Sequence, residues 1–260
     1  MSAARTKSAS SAMSLESYWE RTRQPLQGLL FLLPLLLAYE LGTLWYTSHS
    51  GVVLPELRAQ KMLQLFFSFF GVGGYFLPGL IVVAVLLAWH VVRRDPWRFA
   101  PRLYAVMWVE ALLLAMPPIV FAAVLFREPA VAAGIEDVAL PDTGAKLVMS
   151  IGAGIYEELV FRLIAIALLH TILVDFLALP DHVGVGLTVF LSALAFGLVH
   201  FLNLSPLAWE TIHGAQLAFY TLMGIYLAGV YLVRGFGTVV GVHALYDVLA
   251  VCIVLLQRGG

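Results

Sequence analysis

Charge is what this chain has least of. Lys, Arg, Asp and Glu together make up 12% of its 260 residues, about half the share usual in a soluble domain. An ordinary water-solvated fold is excluded. The few charges also balance, to a formal net of -1, so there is neither a basic footprint for nucleic acid nor an acidic tail, and no nucleic-acid partner is expected. Cysteine is nearly missing. Cys252 stands alone, which rules out an intramolecular disulfide and any cysteine-built zinc cluster. No repeat of fixed period and no internal linker divides the chain.

What is present is apolar length: 61% of residues are hydrophobic and the mean hydropathy is +0.92. Runs near the roughly 20 residues needed to cross a bilayer fall at about 26–47, 63–92, 104–126, 147–169, 183–202, 214–233 and 238–256. A short apolar piece at 171–179 either extends a helix or adds one. The fold class expected is therefore all-α, a polytopic membrane protein with seven or eight transmembrane helices. The second run is overlong and carries Gly71, Gly73, Gly74 and Pro78, marks of a kink, a tilt or a partial break. Residues 1–24 are polar and Ser/Ala-rich and read as a disordered tail. Residues 25–260 read as one helical membrane domain with its chemistry in about 147–256. The first run is longer than the apolar core of a signal peptide and has no clear small-x-small cleavage site, so it is taken as a retained span.

Orientation follows from the arginines. Arg93, Arg94, Arg98 and Arg102 crowd one loop and the tail is basic, whereas 127–146 holds Glu128, Glu136, Asp137 and Asp142. The positive-inside rule then sets the N-terminus in the cytoplasm. Trp19, Trp45, Trp89, Trp97 and Trp209 lie near predicted span ends, where an interfacial belt would have them.

Ionisable residues inside spans cost about 2.5–3.5 kcal/mol each on insertion scales, so each needs a partner or a purpose. In the fourth run Glu157, Glu158 and Arg162 interrupt an apolar helix. Glu158 and Arg162 are four apart and can pair, while Glu157 is rotated by about 100° and must look elsewhere. In the fifth run Phe196 and His200 are one turn apart, so the ring can wall the pocket the imidazole faces. In the last, His243 and Asp247 share a face at i and i+4. Three helices thus offer a carboxylate, an imidazole and an imidazole-carboxyl pair to one interior. Peptide hydrolysis needs a base for water and donors where charge develops on the carbonyl oxygen, and this set can supply both.

Glu-Glu-x-x-x-Arg, Phe-x-x-x-His and His-x-x-x-Asp, in that order on three membrane helices, resemble the CPBP family of CAAX proteases and bacteriocin-processing enzymes. The resemblance covers about 147–256. It implies an intramembrane glutamic endopeptidase in which Glu157 and His200 activate water, His243 and the residue at Asp247 stabilise the oxyanion, and Glu158 with Arg162 holds the first helix in place. No metal or other cofactor is required by that mechanism. The partners implied are membrane lipids and a membrane-associated peptide or protein: a CAAX terminus, a leader-bearing peptide or a sorting-signal tail. One departure stands out. The family's third motif usually ends in Asn, an amide that can donate, whereas Asp247 donates only when protonated. Either its carboxyl is held neutral, or it orients His243 by accepting the second ring proton, and the latter is favoured because an ionised carboxyl offers an acceptor.

Depth is a difficulty, because His200 falls late in its run and His243 early in a run of the same direction, which sets them at different levels. Shifting the fifth span toward Trp209, or tilting it, would reconcile them. Other residues receive plainer readings. His49, His90, His170, His182 and His213 are expected at interfaces or loops, and Glu40 and Glu110 lie in or near spans, with Glu110 taken as structural. Phe66, Phe67, Phe69 and Phe70 are read as a lipid-facing or packing surface, and Gly224 and Gly229 as close-packing positions. Competing functions use the same residues: a zinc-dependent hydrolase, a proton-coupled transporter, or a silent binding or immunity protein.

Overall fold

A computed structural model describes residues 15–74, 76–126, 140–204 and 206–258, and it is 80% helical. A short helix α1 (Leu15–Thr22) precedes α2 (Pro25–Trp45), which runs on through a π-helical turn at Tyr46–Ser50. Then come α3 (Arg58–Ser68), α4 (Leu77–Arg93) and α5 (Pro101–Phe126). α6 (Thr143–Glu158) continues through π-helical Leu159–Ile164, α7 (Ala165–His170) and π-helical Thr171–Phe176. α8 (Asp181–Val199) leads into a hairpin of β1 (Leu202–Leu204) and β2 (Leu207–Trp209), then α9 (Gly214–Arg234) and α10 (Phe236–Arg258) close the chain's described part.

The boundaries have local causes. Pro25 and Pro78 each sit in the first turn of a helix, where a missing N–H removes nothing. The Asp142 side chain caps α6, accepting the Ala145 N–H at 2.9 Å. Inside α5, Pro118 leaves the carbonyl of Leu114 without its helical donor, and the Tyr226 hydroxyl from α9 supplies one at 2.7 Å.

Six helices among the described residues are long and apolar enough to cross a membrane, and α4 is a further apolar helix of 17 residues, so the all-α membrane class holds while the count of seven or eight is not confirmed. Other expectations are corrected. The run at 63–92 is two helices, because Gly71 and Gly74 take positive φ between them. The piece at 171–179 extends the preceding helix, giving a stretch of 34 residues over Thr143–Phe176. Residues 15–22 are helical rather than tail, held by Tyr18, whose hydroxyl donates to Glu110 at 2.6 Å. The acidic Glu128, Glu136 and Asp137 and the first 14 residues lie outside the described residues.

α10 is the centre of the bundle, packed against α6, α5, α2 and α9. Small residues let the backbones close: a Cβ on Gly154 of α6 would stand 2.6 Å from the Ala244 nitrogen of α10, and one on Gly237 would stand 2.7 Å from the Gly28 Cα. Gly224 packs in the same way on Ala193, but Gly229 faces open space and is no packing position. Outside, α5 turns Val109, Leu113, Val120 and Val124 outward, all exposed. An apolar surface of this kind suits lipid, not water. Phe66, Phe69 and Phe70 are exposed as well. His90 is buried, not interfacial, with its ring edge-on to Trp97 at 4.3 Å. Glu110 pairs through both carboxylate oxygens with Arg234, at 2.5 and 2.8 Å. That geometry makes a structural anchor between α5 and α9.

Candidate active site

Glu157 and Glu158 end α6 at the point where it widens into a π-helical turn, a distortion found often at functional sites. The Ser192 hydroxyl from α8 donates to the carbonyl of Phe161 within that turn, at 2.5 Å. Glu158 is fully buried and its Oε1 lies 3.0 Å from Arg162 Nη1, also buried. The contact is Coulombic, since neither terminal nitrogen of Arg162 is aligned for a hydrogen bond. Phe196 of α8 covers the guanidinium, 4.3 Å from the ring centroid.

From α10, His243 meets this pair. Its Nδ1 lies 2.7 Å from Glu158 Oε1, a hydrogen bond in which the ring N–H donates. Its Nε2 points between two further carboxylates, 3.6 Å from Asp247 and 3.8 Å from Glu157. Orientation of His243 therefore comes from Glu158, not from Asp247 as expected. The reason is register: i and i+4 bring Asp247 alongside Nε2, while α6 presents Glu158 to the opposite ring nitrogen.

His200 caps α8, and its Nδ1 lies 2.8 Å from the Phe196 carbonyl one turn back. That bond assigns the proton to Nδ1 and leaves Nε2 an acceptor. Phe196 reaches both imidazoles, with ring centroids 4.7 Å from His200 and 6.0 Å from His243. The depth difficulty is thereby resolved through side chains. The shift of the fifth span toward Trp209 does not occur, since α8 stops at Val199 and a β-hairpin occupies that stretch.

Glu157, His200 and Asp247 line one cleft of about 430 Å³, walled by Met149 and Ser150 of α6, by Arg58 and Lys61 of α3, and by β1 of the hairpin. Such a volume is ordinary for a ligand site. Behind it a chamber of about 40 Å³ is lined by Glu157, His200, His243 and Asp247 together with Tyr220 and Tyr246. All four expected site residues therefore border a common space. No set of three or more His, Cys, Asp or Glu with metal-holding geometry occurs among the described residues.

Sequence reasoning missed three contributors. Tyr220 of α9 stacks on His200, with centroids 4.0 Å apart and planes at 17°. Tyr246 borders the chamber, is buried, and its hydroxyl meets no hydrogen-bonding group among the described residues. Its place at i+3 from His243 was a usable signal. Arg58 donates through Nε to the Leu202 carbonyl at 3.1 Å and lies 3.5 Å from Glu210, tying α3 to the hairpin. Nothing local in the sequence announces that contact.

Residues 141–249 match the family model of the type II CAAX prenyl endopeptidases, Rce1-like. This is an Rce1-like segment of the CPBP family. All three motifs fall inside it, and the Rce1-like match implies a peptidase of the CAAX type. Together with the six apolar helices it makes the chain an integral membrane protein. α3, which walls the cleft beside the Rce1-like segment, lies outside the matched residues. Neither curated proteins nor solved structures gave a match.

Proposed function

We propose that the protein is a glutamic-type intramembrane endopeptidase that cleaves a membrane-associated polypeptide, with Glu157 and His200 activating water. The observation carrying this reading is that Glu157, His200, His243 and Asp247, from three helices, border one chamber behind the cleft. Charge supports it too. Three carboxyl groups meet two groups able to be cationic, Arg162 and His243, so the cluster holds one more acid than it has cations to pair with.

Glu157 and the acceptor Nε2 of His200 flank a water placed in the chamber, and Glu157 takes its proton as the oxygen attacks the scissile carbonyl. The new C–O bond displaces the carbonyl π electrons onto oxygen, where His243 Nε2–H and the Tyr246 hydroxyl donate. Neither carboxylate is within 3.5 Å of Nε2, so its proton is uncommitted. Collapse then breaks the C–N bond, with the proton on Glu157 passing to the leaving amine. Tyr246 fills the donor role that Asp247 cannot fill when its carboxyl is ionised.

The basic N-terminal end is cytoplasmic in this reading. The family resemblance allows a CAAX-type terminus, a leader peptide or a sorting-signal tail as the polypeptide cut. The test is a comparison of membrane-peptide termini from cells carrying wild type and Glu157→Gln. New termini should appear with wild type alone; identical sets at equal expression would end the hydrolytic reading.

A further inference from the structure

We infer that the cleft opens on the face of the membrane opposite the cytoplasm, so that the substrate is an exported, membrane-anchored polypeptide cut on its outer side. This rests on the peptidase reading for the word substrate, but the direction of the cleft stands on contacts and charge alone.

Two ends of the bundle are fixed by cross-chain bonds. At one, Arg23 donates to the Val233 carbonyl at 2.7 Å and Gln27 to the Arg98 carbonyl at 2.8 Å. The start of α2, the α4–α5 loop and the α9–α10 corner therefore lie together. At the other, the Tyr46 hydroxyl donates to Asp142 at 2.5 Å and Arg58 holds the Leu202 carbonyl. There the end of α2, the start of α3, the start of α6 and the hairpin meet. The 26 residues of Pro25–Ser50 separate the two ends by about 39 Å at ~1.5 Å per residue, enough to span a bilayer.

The cations are unequally shared. Arg21, Arg23, Arg93, Arg94, Arg98 and Arg102 lie at the first end, Arg94 and Arg98 within the short α4–α5 loop and Arg93 and Arg102 in the helix ends beside it. The second end has Arg58, Lys61, Lys146 and the close of α10 at Arg258, with Arg127 next in sequence after α5, one or two to a segment. Short Lys/Arg-rich loops stay cytoplasmic. The first end is then inside. Every wall of the cleft's mouth comes from the second: Glu56, Arg58 and Lys61, Leu140, the hairpin and Glu210. His200 ends α8 at that side, and α6 runs inward from it to Glu157. A polypeptide reaches Glu157 from outside, after a translocation reaction has delivered its cleavable segment there.

Single cysteines in a Cys252→Ser background test this with a membrane-impermeant maleimide on intact cells. Glu210→Cys, or Ser50→Cys if the first does not accumulate, should label without permeabilisation. Arg98→Cys should label only after it. Labelling of Arg98→Cys in intact cells, or of the cleft-side positions only after permeabilisation, overturns the inference, and equal labelling of both does the same. Labelling needs no catalysis, so a wrong peptidase reading shows up separately, as termini unchanged by Glu157→Gln.

Discussion

Glu158 Oε1 lies 2.7 Å from His243 Nδ1 and 3.0 Å from Arg162 Nη1, which makes one buried carboxylate oxygen the hinge between α6 and α10. Its neighbour Glu157 is partly accessible and borders the cleft. Adjacent, chemically identical residues thus sit in different settings, and in the proposed mechanism Glu158 is structural while Glu157 does the chemistry.

Glu158→Ala strips two buried partners at once and leaves the Arg162 charge uncompensated. A loss of about 3–5 kcal/mol is expected on breaking such a pair, seen as a much lower unfolding temperature in detergent. Glu157→Gln should unfold near the wild-type temperature while cleaving nothing. Equal melting of the two variants would contradict the division of labour.

Tyr246→Phe removes only a buried hydroxyl that no described group satisfies. Thermal stability should hold or rise, because an unpaired buried hydroxyl costs about 1–3 kcal/mol. If that hydroxyl donates to the oxyanion, kcat should fall about 10²–10³-fold with KM little changed, the usual effect of losing one such donor. Asp247→Asn added to this variant restores a donor and should recover part of the loss. A wild-type kcat for Tyr246→Phe removes the phenol from the mechanism.

The contact of α6 with α10 leaves no room for a side chain at Gly154, where a Cβ would meet Ala244 backbone at 2.6 and 2.8 Å. Gly154→Ala should cost about 1–3 kcal/mol by overpacking and lower cleavage by moving Glu157 away from His243. Gly229→Ala, facing open space, is the control and should match wild type in both melting and activity.

How much of this was legible in the sequence depends on the range of the interaction. Glu158 with Arg162, Phe196 with His200 and His243 with Asp247 are i,i+4 pairs, and helical periodicity alone sets each on one face. The stacking of Tyr220 on His200 and the bond from Arg58 to Leu202 join different elements, and no periodicity encodes them. The same limit explains the orienting partner of His243. Glu158 lies 85 positions away along the chain, while Asp247 sits in plain view on the same helix. The hairpin carried no signal of its own, because its apolar Leu202, Leu204, Leu207 and Trp209 look, by composition, like a continuation of the run that ends near 202.

Asp142, at the mouth of α6, makes the acid limb of stability predictable. The Tyr46 hydroxyl and the Ala145 N–H hold its carboxyl below the usual range, hydrogen bonds outweighing burial. A carboxyl depressed in the folded state stabilises it above the unfolded value, near 3.9, and that contribution is lost as pH falls through the lower folded value. Asp142→Asn should therefore flatten the melting temperature below about pH 4 relative to wild type, with little change of slope at neutral pH. An unaltered acid limb would show that the capping carboxyl carries no such linkage.

Chelation separates the glutamic reading from a zinc-dependent one built on the same side chains. A catalytic zinc needs three protein donors about 2.0–2.2 Å from one point, and no such set of His, Cys, Asp or Glu occurs among the described residues. Cleavage by purified protein should accordingly persist, at its full rate, after prolonged incubation with a strong chelator. Complete loss of activity, restored by one equivalent of zinc bound per chain, would transfer the water from Glu157 to a metal and reassign both histidines as ligands.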